Sequence, residues 1–247
     1  MKALLFPALL LAVVSGLHPA TAQSQSSDPL RCRWRMAVAV PDAGNTKISF
    51  NGTTVVPHGY AEGFGSGGLS AGAGPMQLEI SHPSLGQVAT TITLQPMAMN
   101  TVVIHVVEET VRGETRRSLK ASNYSAPQTG TGSPEILFIS LSKAPAVVVT
   151  IKQTITTKKT VALPSNPSDP EAPPGATSAV REETTKRQKM TTIPGGARRM
   201  VTLKSSGETS VALGDSQVRV EAAGGDAAPA VVIYDASNGS QKVLAAF

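Results

Sequence analysis

The chain has 247 residues, a formal net charge of +5, 4% aromatic residues and a single cysteine. A charge that mild, with no basic-aromatic recognition motif, excludes a dedicated nucleic-acid binder. One cysteine excludes an internal disulfide, and so few aromatic rings argue against a lectin site that stacks sugars on exposed Trp or Tyr.

Residues 1–22 read as a cleaved export signal. Lys2 supplies the positive start, Ala3 to Gly16 is apolar apart from Pro7 and Ser15, and Ala20-Thr21-Ala22 offers the small residues that a signal peptidase needs. The apolar run is too short to span about 30 Å of hydrocarbon. The expectation is a periplasmic or extracellular protein that starts at Gln23 and has no transmembrane segment. A lipid-anchor cysteine would follow a leucine three residues back and a small residue just before it. Cys32 has Pro29 and Arg31 there, so it reads as a small, half-buried thiol.

After a flexible N-terminus (23–31), the pattern is that of short strands. Arg33 to Val40 is the first, and Pro41 to Asn45 is dense in turn formers. Lys47 to Phe50 and Thr53 to Val56 flank Asn51-Gly52, the strongest two-residue hairpin signal. His58 to Gly74 reads as a Gly/Ser loop. Met76 to Ile80 alternates with period two, and Thr91 to Leu94, Thr101 to Val107 and Thr115 to Lys120 complete a first unit. Residues 123–133, rich in Ser, Gly, Thr and Pro, read as a linker.

The layout then restarts. Glu135 to Leu141 leads into Ser142-Lys143-Ala144-Pro145, as Val40 led into Pro41-Asp42-Ala43-Gly44. Val147 to Ile151 and Thr156 to Leu163 take the places of the second and third strands. Residues 164–189 read as an insert. Pro164, Pro167, Pro170, Pro173 and Pro174 break its first part, and Arg181 to Lys189 is charged, a short helix or a solvated loop. Ile193 to Leu203 echoes Gly72 to Glu79, Val218 to Glu221 and Val231 to Asp235 are later strands, and Gly239 to Leu244 echoes Gly113 to Leu119. The chain therefore reads as all-β: two tandem small antiparallel β-sandwich (Ig-like) domains, 32–122 and 134–247, behind a signal peptide.

The strand-turn-strand openings Ala37 to Asn45 and Ile139 to Val147, with the Gly-containing turns before Met76 and Met200, resemble a family of exported bacterial small β-domains of unknown function. The overall plan, a leader and two small β-domains, is similar to that of AlgF, the periplasmic accessory protein of alginate O-acetylation. These resemblances imply a non-catalytic adaptor or scaffold of the cell envelope.

No cofactor or metal set is legible. Gly68-Leu69-Ser70-Ala71-Gly72 matches a nucleophile-elbow pattern, but a strand rather than a helix follows, so an esterase or acetyltransferase using Ser70 is the minor alternative. Gly63 to Gly68 matches a dinucleotide fingerprint and lacks the helix it needs. His58, His82 and His105 lie at no metal-ligand spacing, although a composite site with Glu62 is conceivable. The candidate partner-contact residues are Arg181, Lys186, Arg187, Lys189, Arg198 and Arg199, which could meet an envelope protein or an anionic polysaccharide.

Overall fold

The computed structural model describes residues 31–40, 46–56, 69–127, 132–162, 178–222 and 228–246, which form sixteen strands and no helix. The expected export signal (1–22), the expected turn at 41–45, the segment with the dinucleotide-like pattern, His58 and Glu62, and the five prolines lie outside the described residues. The first half contains β1 (Arg31–Ala39), β2 (Lys47–Phe50), β3 (Thr53–Val56), β4 (Leu69–Gly72), β5 (Gly74–His82), β6 (Gly86–Leu94), β7 (Ala98–Val111) and β8 (Glu114–Pro127). The second contains β9 (Glu135–Ser140), β10 (Ala146–Ala162), β11 (Ser178–Pro194), β12 (Arg198–Thr202), β13 (Gly207–Leu213), β14 (Ser216–Ala222), β15 (Ala230–Asp235) and β16 (Gln241–Ala246).

Each half is a pair of four-stranded sheets. The orders are β4-β1-β7-β8 and β3-β2-β5-β6 in the first, and β12-β9-β15-β16 and β11-β10-β13-β14 in the second. Adding eight to every strand number converts one half into the other, so the repeat expected from the sequence extends to the whole topology. The pairing is antiparallel except for one parallel contact per half, β1 with β7 and β9 with β15.

Strand alternation explains how the sheets stack. On β1, Cys32, Trp34, Met36 and Val38 point into the first core with Ile48, Phe50, Leu78, Ile80, Val102 and Ile104. The Trp34 and Phe50 rings meet there at 4.5 Å between centroids. The second core holds Ile136, Phe138, Val149, Ile151, Val211, Val231 and Ile233. The opposite faces of β1, β7, β9 and β15 carry Ala37, Ala39, Val103, Leu137, Ile139 and Val232, which form a third apolar cluster joining the halves. The layers thus run outer sheet, inner sheet, inner sheet, outer sheet. Inner strands are buried on both faces and show unbroken runs of buried, mostly apolar residues, as in Ala98 to Ile104 and Ile136 to Ser140. Outer strands alternate buried and exposed positions, as in β5.

The face of β1 that carries Ala37 and Ala39 also holds one buried charge. Arg35 is 1% exposed, and its Nε donates to Thr101 Oγ1 at 3.0 Å. Its Nη2 is buried without a hydrogen-bond partner. Burial lowers the guanidinium pKa to about 10. That is a cost of order 3 kcal/mol for keeping the charge inside.

Several boundaries differ from the sequence expectation. Residues 123–127 are not linker but the end of β8. Asn123 Nδ2 donates to Thr93 O at 2.7 Å and to Asn100 Oδ1 at 2.9 Å, and the buried Asn100 organises the neighbouring turn. Val147 to Ile151 and the expected strand Thr156 to Leu163, described as far as Ala162, are one strand rather than two, because Lys152 to Ile155 continues the same alternation. Arg181 to Lys189 is neither helix nor loop. It lies within β11, whose partner β10 pairs with it at every position from Ala146↔Pro194 to Ala162↔Ser178. The counterpart of Met200 is therefore β4, not the Met76 strand. Leu69 to Gly72, expected in a loop, is β4, and Gly207 to Leu213 is a strand the sequence did not announce. Cys32 is fully rather than half buried, at 2% exposure; Sγ lies 3.7 Å from Gly72 O, and burial raises the thiol pKa.

Candidate functional site

The six basic residues singled out in the sequence fall on two strands, and alternation divides them. On β11, Thr191 and Ile193 are buried toward the second core. Arg181, Arg187 and Lys189 are on their side of the strand, and Lys186 is on the other. On β12, Arg199 shares a face with the core residue Val201, and its Nη1 donates to Thr192 O at 2.6 Å. Arg198 points the other way, and its Nη1 donates to Ser125 O of the first half at 3.3 Å. The six do not form one patch.

The structure brings Lys186 together with residues the sequence reading missed. The outer face of the β11-β10-β13-β14 sheet carries the row Gln188–Lys152–Ser210–Arg219. Beside it runs Lys186–Thr154–Glu208–Glu221. These rows as far as Glu208 and Arg219, together with Gln153, Arg187 and Gln217, line a shallow depression of about 550 Å³. Arg219 Nη1 lies 3.6 Å from Glu208 Oε1. Among the described residues neither Lys152 nor Lys186 has a carboxylate partner. The signal that could have found this face is the period-two run through Lys152 and Thr154, hidden once β10 is divided at Ile151.

A second cleft of about 460 Å³ lies between the halves. Here the polar groups satisfy one another. Glu108 accepts from Lys143 Nζ across the junction and lies 3.4 Å from Arg117 Nε. Asp235 accepts from Ser142 Oγ at 2.7 Å and from the Lys143 backbone N–H at 2.8 Å. Gln241 Nε2 donates to Ser142 Oγ at 2.9 Å. The Lys143 hydrogen bond and charge, with a smaller contribution from Arg117, hold the Glu108 carboxyl below the usual range. His105 Nε2 lies 3.1 Å from Ser122 Oγ, and burial lowers its pKa. This lining is a clasp between the halves, whereas the sheet depression presents cations to solvent.

Ser70 lies inside β4, where it pairs with Arg33 of β1. It therefore sits within a strand rather than on a strand-to-helix turn. His82 ends β5, with its Nδ1 3.3 Å from the Ser84 backbone nitrogen and 3.1 Å from Ser84 Oγ, while His105 is on a different sheet at the junction. Among the described residues no three of His, Cys, Asp and Glu gather closely enough to hold a metal ion, and no helix is long and apolar enough to cross a membrane. No known protein family matches the chain, and no curated protein matches its sequence.

Proposed function

We propose that this chain is a non-catalytic exported module of the cell envelope that binds or scaffolds a partner through its second half. The observation that carries this is the β10–β11 ladder. β13 pairs with β10 only from Thr150 to Thr154, yet β10 and β11 stay paired as far as Ala162 and Ser178. From Thr156 onward the described side chains of both strands are exposed. A ribbon held out by its own ladder contributes little to any core, and such a projection is suited to contact. The leader pattern at 1–22 supports an extracytoplasmic setting, and the resemblance to envelope adaptors agrees with it.

The test uses the mature chain and a variant in which residues 156–184 are replaced by Asn-Gly. Both are immobilised and exposed to envelope extract. Capture of a component by the full chain that is lost with the ribbon would support the reading. Equal capture by both variants would overturn it, as would acyl-ester hydrolysis abolished by Ser70→Ala.

A further inference from the structure

The geometry points to a linear, carboxylate-bearing polysaccharide as the occupant of the outer face of the β11-β10-β13-β14 sheet. This rests on the reading of the chain as a binding module and names the ligand class for it. Lys152 and Lys186 are diagonal neighbours on adjacent strands, because Lys152 pairs with Gln188 and Lys186 with Thr154. Diagonal positions lie about 7–8 Å apart, a separation that two ammonium groups on flexible stems can close around one carboxylate. Among the described residues neither lysine is neutralised internally, so a ligand charge would not have to displace an existing ion pair.

The flanking groups decide the rest of the chemistry. Gln188, Gln217, Ser210 and Thr154 are amides and hydroxyls that both donate and accept, which suits a ring carrying several hydroxyl groups, and the one carboxylate of the lining, Glu208, is offset by Arg219 at 3.6 Å. No aromatic ring lines the depression, so stacking cannot hold a neutral sugar and the ligand's charge must supply recognition. The same face continues along the ribbon through Thr156 and Thr184, the internally paired Lys158 and Glu182, and Thr160, a polar track beyond the depression. From Lys152 to Thr160 the strand advances about 27 Å at 3.4 Å per residue. That is the length of several sugar units, which favours a chain over a monosaccharide. A narrow track on a two-stranded ribbon fits a linear polymer rather than a flat membrane.

The experiment measures binding of the full mature chain to polygalacturonate, a linear polyuronate, with dextran and polyglutamate as comparison polymers. Two double variants remove equal charge from opposite sides of the sheet: Lys152→Gln with Lys186→Gln on the outer face, and Arg181→Gln with Lys189→Gln on the other, neither of which lines the depression. Polygalacturonate should bind in low salt and weaken as screening shortens to about 8 Å at physiological ionic strength. The outer pair should reduce affinity at least tenfold and the opposite pair less than threefold, both keeping the wild-type melting temperature. Equal losses, polyglutamate binding as tight as polygalacturonate, or no polygalacturonate binding would overturn the proposal. If ribbon-dependent capture of another component survived such a result, the binding-module reading would stand without the sugar.

Discussion

The β2–β3 and β10–β11 hairpins occupy equivalent places in the two halves, and they differ in length. β2 and β3 have four residues each and close on Asn51-Gly52, whose φ angles of 46° and 79° suit a type I′ turn. β10 and β11 have 17 residues each. The core positions correspond: Ile48 and Phe50 in one, Val147, Val149 and Ile151 in the other. What the second hairpin adds lies beyond that core. Folding of a sandwich therefore fixes only the first few residues of this element, and the remainder is free to serve a partner.

The largest way to break the shared framework is at the layer where the halves meet. Val232 is fully buried in the third cluster. Val232→Asp places a carboxylate among the apolar side chains of that cluster, and should cost about 4 kcal/mol in urea unfolding. A loss under 1 kcal/mol would mean that the halves do not pack in solution as they do here.

A smaller effect of opposite sign is expected at Arg35. Its charge is buried beside a single hydroxyl partner, and an apolar side chain of similar length removes the desolvation penalty. Arg35→Met should raise stability by about 1–3 kcal/mol, offset in part by Thr101 Oγ1 losing its donor. Because burial lowers this pKa, the folded form binds the proton less tightly than the unfolded form. Stability should therefore rise as pH climbs from about 10 toward the usual arginine value. The Arg35→Met variant should lack that rise. Destabilisation by the substitution would show that the guanidinium is compensated.

Shortening the second hairpin to resemble the first sharpens the comparison directly. Replacing 156–184 with Asn-Gly should change stability by less than about 1 kcal/mol, since cross-strand pairs such as Lys158–Glu182, at 3.4 Å and exposed, are individually weak. A large fall in melting temperature would make the ribbon structural.

The smallest effect belongs to the clasp. The Glu108 carboxyl is held below its usual pKa, so its contribution is present above the unfolded value and lost as pH falls through the folded one. His105, lowered by burial, loses stability in the same direction as pH drops below about 6.5. Acidification should loosen the junction, and Glu108→Gln should flatten the Glu108 part of that dependence. An unchanged profile would remove Glu108 from the clasp.

Much of the fold could be read in advance because strand alternation and turn chemistry are local. Lys47 to Val56 falls where Asn51-Gly52 puts it, and the doubly buried strands show as runs rich in β-branched and other apolar residues. What could not be read depends on the partner strand. Arg181 to Lys189 carries no apolar period, so nothing local marks it as a strand; its ladder with β10 does. Arg112-Gly113 closes the β7–β8 hairpin with the same positive-φ pair as Asn51-Gly52, yet Arg at that position is not a turn signal. The sheet depression was invisible for the same reason. Lys152, Lys186 and Arg219 are distant in sequence and meet only through three registers.

The most direct test of the account is whether the two halves, equal in topology, behave as one body through their third cluster. Trp34 is the only tryptophan and lies in the first core, so its fluorescence reports that half alone. Phe138 is fully buried in the second core, and Phe138→Ala should cost about 3–5 kcal/mol there. The account predicts that the Trp34 unfolding midpoint in urea falls together with that of the whole protein measured by circular dichroism. A Trp34 transition that stays at its wild-type midpoint while the second half unfolds early would contradict it.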